Sequence, residues 1–103
     1  MWAQLITMRL KEGRDSDLPK LFEQLRSAEE PGSGLVRSTM MRDQKDPRRV
    51  YTLVVFESEE AARARENDPR REQALQPVRE LMAEMFEGAP DFVDLTVEAE
   101  GSP

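Results

Sequence analysis

The chain contains no cysteine and no histidine. Without cysteine there is no disulfide framework and no thiol chemistry. Without histidine, the commonest general base and the commonest transition-metal ligand are both missing. Aromatic residues make up only 6% of the sequence, with one tryptophan, Trp2, and one tyrosine, Tyr51. No apolar run approaches the length of a membrane span. The N-terminus, Met-Trp-Ala-Gln-Leu-Ile-Thr-Met-Arg, has no basic region followed by an apolar one, so no signal peptide is expected. Positive charge is in the minority, and the net charge is −6. An acidic protein repels phosphates, so neither nucleic acid nor a membrane surface is an expected partner. The resulting expectation is a soluble, cytoplasmic protein.

What is present suits one small domain. The 103 residues can bury a core, although a marginal one that gains from a partner surface. The charges are mixed along the chain, which argues against disorder in its body. Trp2–Leu10 alternates and predicts a first strand, ended at Lys11-Glu12-Gly13. Leu18, Leu21, Phe22 and Leu25 recur at helical spacing and predict a helix from about Asp17 to Ala28. Pro31-Gly32-Ser33-Gly34 stops it. Leu35–Arg42 reads as a second strand, and Asp43–Arg49 as a charged loop turning at Asp46-Pro47. Val50–Ser58 reads as a third strand, apolar on both faces, and therefore central.

Ser58 with Glu59 and Glu60 reads as a helix start. Asn67-Asp68-Pro69 interrupts that helix, and Asp68 can cap a new one with Pro69 in its first position. Leu75, Val78, Leu81, Met82, Met85 and Phe86 form a second apolar stripe, kinked or split at Pro77. Gly88 and Pro90 are expected to end it, with a fourth strand over Asp91–Glu100.

The order is β-α-β-β-α-β, which defines an α+β, ferredoxin-like plan over residues 1–100, with 101–103 as a tail. The expected sheet is four-stranded and antiparallel, in the order 4-1-3-2, with the helices on one face. Strands 1 and 3 are placed at its centre and are expected to run parallel to each other. Leu5, Leu53, Val55, Val93, Leu95 and Val97 make the second face apolar too. An uncovered apolar sheet face usually marks an interface. The expected partner is a second copy of the chain, the two sheets facing across a two-fold axis.

Three stretches then carry a family resemblance. They are the exit Leu10-Lys11-Glu12-Gly13, the segment Tyr51–Ala62, and the break Asn67-Asp68-Pro69. In that order and spacing the chain resembles the dimeric α+β barrel superfamily, and within it the antibiotic-biosynthesis-monooxygenase-like domains. The resemblance implies a pocket between helices and sheet. Some members oxidise aromatic polyketides without metal or flavin, and others degrade haem. Haem-degrading relatives use an asparagine on the first strand and a later tryptophan and histidine. The matching neighbourhoods here offer Ile6, Arg65 and Leu75, so no catalytic role carries over. No cofactor and no metal is expected.

Candidate pocket-lining residues are Ile6, Met8, Phe22, Met40, Tyr51, Asn67, Met82 and Phe86. Methionines such as Met8, Met40, Met41, Met82 and Met85 fit irregular ligands, but they also fill cores. Tyr51 is able to donate to a phenolic substrate or simply to pack. Asn67 suits a carbonyl at a pocket mouth, or cap chemistry beside Asp68. Arg9 and Arg37 suit an anionic ligand or an ion pair. The pairs Arg70-Arg71 and Glu59-Glu60 read as solvated helix ends.

Two functions follow. One is cofactor-independent oxidation of a small aromatic or quinone-like substrate. The other is a non-catalytic dimeric module that binds a small apolar or aromatic ligand or supports another protein. An open pocket with converging polar groups favours the first. A pocket filled by Phe22, Met82 and Phe86 favours the second.

Overall fold

Alternation along Trp2–Leu10 sends the even-numbered side chains to one side and the odd-numbered ones to the other. The computed structural model describes Met1–Pro103, and in it this stretch is strand β1. A single 3-10 turn, Asp15–Asp17, leads into helix α1, Leu18–Ser27. Asp17 makes no capping bond to the helix; its carboxylate accepts instead from Arg14 Nε at 2.6 Å. Strand β2, Leu35–Arg42, and strand β3, Arg49–Phe56, follow as a hairpin. Helix α2 covers Glu59–Glu66 and is capped by Ser58, whose Oγ accepts from the Ala61 amide, a device worth about 1 kcal/mol. Asp68 likewise caps α3, Pro69–Ala74, through the Arg70 amide. Helix α4, Gln76–Met85, takes Pro77 into its first turn, where the missing amide costs nothing. Strand β4, Phe86–Thr96, closes the order.

The sheet runs β2-β3-β1-β4. Its central strands pair antiparallel, from Trp2↔Phe56 to Arg9↔Arg49, which corrects the expected parallel pairing. The reason is directional. The α1 crossover brings β2 back parallel to β1, and the hairpin then reverses the chain, so β3 must oppose β1.

A second correction concerns β4. Gly88 and Pro90 lie inside the strand, and Phe86 opens it opposite Leu10. The pairing jumps from Arg9↔Glu87 to Thr7↔Asp91, so Gly88, Ala89 and Pro90 bulge out against one β1 residue. Gly88 has φ +67°, the left-handed conformation that such a bulge uses. Thus glycine and proline here mark an irregular edge strand instead of a helix end. Residues 97–100 leave the ladder: Val97 donates to the Met1 carbonyl, and the Glu100 carboxylate reaches Arg37 on β2 at 2.6 Å.

The helices cover one face of the sheet unevenly. At one end Met8, Leu10, Val50 and Phe86 meet Leu21, Val78 and Met85 in the main core. At the other end Trp2 and Phe56 pack with Ala62 of α2. Gly34 permits α2 to approach closely there, since a Cβ at that position would lie 2.7 Å from Ala61 Cβ. The middle rows of the sheet fall between these two clusters.

The opposite face carries no helix. Val36, Met41, Val93 and Leu95 are exposed, and Leu5, Leu53 and Tyr51 are half-buried. Ala3 and Val55 share that face but are buried, at the end where residues 97–100 pass from β4 toward β2. No helix is long and apolar enough to cross a membrane.

Candidate functional site

The gap between the two core clusters is a cavity of about 500 Å³. Its floor is sheet: Gln4 and Ile6 from β1, Ser38 from β2, Thr52 and Val54 from β3. Trp2, Phe22, Phe56 and Phe92 supply aromatic walls. Phe92 is 58% exposed and stands at the rim. Phe22 comes from α1 because it lies next to the buried Leu21 on the helix surface, turned off the main core.

One side of the cavity is charged. Arg26 and Glu29 reach it from the α1 end, and Arg65, Glu66 and Arg71 from α2 and α3. Arg65 grips Glu29 with Nε at 2.9 and 3.0 Å and Nη2 at 2.6 Å. Its guanidinium also lies 5.1 Å from the centre of the Phe56 ring, a cation–π contact. Ser33 donates a further bond to Glu29 at 2.6 Å. Burial pushes the Glu29 carboxyl up, but the bonds from Arg65 and Ser33 outweigh it and hold the group below its ordinary range. Glu66 is engaged by Arg63 at 3.1 Å. Arg63 also covers the Trp2 ring at 5.2 Å and binds Asp94, which accepts in turn from Gln4.

Thr52 and Arg71 both lack side-chain partners. Thr52 Oγ1 is buried without a hydrogen bond, on a residue only 6% exposed. Arg71 is half-buried and makes neither an ion pair nor a side-chain hydrogen bond, unlike its neighbours Arg65 and Arg70. Burial, and then the positive charge of Arg65, pull its pKa down from the ordinary value, against the attraction of Glu29 and Glu66. An arginine nonetheless stays charged at neutral pH.

Of the residues expected to line a pocket, Ile6 and Phe22 stand in this wall. Met8 and Phe86 are buried in the main core, with Met40 and Met82 packed against it. Tyr51 alternates with Val50 and Thr52, so it projects from the opposite face; its hydroxyl is 3.4 Å from Asp43. Asn67 is the C-terminal cap residue of α2. Met85 is fully buried and Met41 exposed on the open face. Arg9 pairs with Asp46 and Glu87, and Arg37 with Glu100.

The reading of Arg70-Arg71 as a solvated pair needs correction. Arg70 is exposed and folds onto Asp68, while Arg71 turns into the cavity wall. Successive residues on a helix point about 100° apart, so one of the two is carried inward. Sequence reasoning also missed Arg65 and Glu29 as wall residues. Their partnership joins two helix ends far apart in the chain and has no local pattern. No cluster of three or more carboxylates is placed to hold a metal ion.

An antiparallel sheet in this order, with helices on one face, defines a ferredoxin-like domain. The family model for antibiotic biosynthesis monooxygenases matches residues 1–77, so the chain belongs to that family. SnoaB of Streptomyces nogalater, a cofactor-independent oxygenase, superposes with a TM-score of 0.75 at 14% identity, over 96% of this chain and 94% of its own. A Nitrosomonas europaea protein assigned to the same monooxygenases gives 0.74 at 15% identity, over 96% of this chain and 100% of its own. One from Chloroflexus aurantiacus gives 0.66 at 22%, over 100% and 98%. At these identities the likeness is one of fold. No curated protein matches the sequence.

Proposed function

We propose that the chain oxidises a small aromatic, quinone-like substrate with O2 in the helix–sheet cavity, without a cofactor. The observation that carries this reading is the cavity itself. It is open, walled by aromatic side chains and met by polar groups on one side, within the size range of small-molecule sites. Phe22 lines it, while Met82 and Phe86 are absorbed by the main core and do not fill it. The similarity to SnoaB adds a fold on which cofactor-independent oxygenation is carried out.

The substrate would supply the reactive electrons. A CH2 group beside a ring carbonyl loses a proton, and the carbanion gives one electron to O2. The two radicals join in a C–O bond, and the protonated peroxide loses water. In sum, CH2 and O2 become C=O and H2O. Glu29 and Glu66 both accept bonds from arginines, so neither is a free base. The proton therefore leaves to water. The protein's share is to bind the substrate and stabilise developing charge.

Oxygen uptake with a panel of hydroquinones and ring ketones tests the reading. Uptake at least ten-fold above the protein-free rate is expected with one of them. Absence of turnover with all of them would favour the second reading, a binding module without chemistry. That reading draws on the same commitment of Glu29 and Glu66 to ion pairs.

The working unit is proposed to be a homodimer through the helix-free sheet face. Its support is the exposed apolar residues at both edges of that face, Val36 and Met41 on β2 and Val93 and Leu95 on β4, with Leu5 and Leu53 half-buried on the strands between them.

A further inference from the structure

The cavity wall carries three guanidiniums, from Arg26, Arg65 and Arg71, and two carboxylates, from Glu29 and Glu66. This excess of positive charge sits in a protein of net charge −6. The pairing inside the wall makes the imbalance local. Glu29 is taken by Arg65, and Glu66 by Arg63 from outside the wall. Arg26 is paired with Glu23 and faces solvent. Among the arginines only Arg49 and Arg71 form no ion pair; Arg49 is exposed, and Arg71 is half-buried. Glu29 and Glu66 attract Arg71 from a distance, but neither bonds to it, and burial with the repulsion of Arg65 and Arg79 outweighs them. A half-buried guanidinium whose donors are unmet is a site for an anion.

We propose that the cavity binds an aromatic anion, with Arg71 as the residue that recognises its negative oxygen. The ligand class is an aromatic ring system carrying one carboxylate, phenolate or enolate group. The aromatic walls take the rings, and the planar fork of Arg71 takes the charged oxygens, which it is shaped to hold in pairs. Arg71, Arg65 and Glu29 also line a polar groove outside the cavity, beneath Pro31–Gly34, together with Arg70, Glu30, Glu57 and Asp68, so Arg71 sits where cavity and surface meet. Glu29 has a defined part: it bonds Arg65, so Arg71 is the one arginine of the wall without a direct ion pair, although it feels the Glu29 charge. Thr52, with its unpartnered hydroxyl on the cavity floor, offers a second donor.

The inference rests on the cavity being the ligand site. Trp2, the single tryptophan, lines that cavity and reports occupancy by fluorescence. The probes are 2-naphthoate and its neutral isostere 2-naphthamide, titrated at neutral pH. Naphthoate is expected to bind at least ten-fold more tightly than naphthamide. In Arg71→Gln the preference should vanish while naphthamide binding is unchanged, and Arg71→Lys should retain part of it. Equal binding of the two probes to the wild-type chain, quenching by neither, or a preference that survives in Arg71→Gln overturns the proposal. If Arg71→Gln does not fold, Arg71→Lys decides: a narrowed preference supports it and an unchanged one overturns it. Anion preference without O2 uptake by any substrate would sink the oxidation reading alone. O2 uptake that Arg71→Gln leaves untouched would sink the anion proposal alone.

Discussion

Arg65 and Glu29 meet across 36 residues of sequence, their side chains 16% and 18% exposed, with guanidinium and carboxylate joined at 2.6 Å. The pair ties α2 to the end of α1 and forms the boundary of the cavity. It also separates Arg65 from Arg71: the first is bonded to the carboxylate, and the second feels its charge without bonding to it.

Glu29→Gln should therefore have two effects of opposite kind. Removing one partner of a largely buried pair strands the other, at a cost of about 1–3 kcal/mol, read as a lower urea midpoint. The same change frees a second guanidinium, so naphthoate binding should tighten several-fold. Weaker naphthoate binding would show that the pair organises the cavity instead of restricting its charge.

Acid should weaken the fold through the same residue. The Glu29 carboxyl lies below its ordinary value of 4.5 in the folded chain. The unfolded chain then binds its proton first as the pH falls. The stabilisation is present above about 4.5 and is lost as the pH drops through the folded value. Urea midpoints measured from about pH 6 to about pH 3 should fall, and less steeply in Glu29→Gln. Identical slopes for the two proteins would contradict this role for Glu29.

Thr52→Val should be neutral, or stabilising by about 1 kcal/mol, because the hydroxyl it removes is buried without a partner. Chemical denaturation of the ligand-free chain checks this. A loss above about 1 kcal/mol would mean that the hydroxyl is already satisfied. Naphthoate affinity should fall modestly in the same variant if Thr52 donates to the ligand.

Val93→Glu places a charge on the helix-free face, where Val93 is 48% exposed in the single chain. The change should leave the fold of one chain intact and break its association. Sedimentation is expected to show a dimeric mass for the wild type at micromolar concentration and half that mass for the variant. A monomeric wild type refutes the dimer.

Much of the fold was legible because it is written in short-range patterns. Trp2–Leu10 and Leu35–Arg42 match their strands residue for residue, since alternation is a local signal. The caps at Ser58 and Asp68 were equally readable, because a side-chain oxygen, an amide and a following proline are near neighbours. The start of β4 was not. Phe86 continues the apolar stripe of α4, yet it opens a strand because Leu10 offers it a ladder partner and the core accepts it in either geometry. Gly88 and Pro90 read as a helix stop for the same reason that they build a bulge: both suit broken pairing.

The candidate site was far less legible. Ile6 and Phe22 reach the cavity, but Met8, Met40, Met82 and Phe86 share their apolar character and lie in or against the main core. Hydrophobicity tells that a side chain will be covered, not which cluster will cover it. By itself the sequence determined the element order, the acidic balance and the absence of histidine and cysteine, and hence which chemistries are unavailable. Only the tertiary structure decided that the two ends of the sheet are filled and its middle is open. It also decided that Arg65 turns to Glu29 while Arg71 turns into the wall without a partner. Pairing of charges depends on distances between separate helices, and no local pattern in the chain encodes those distances.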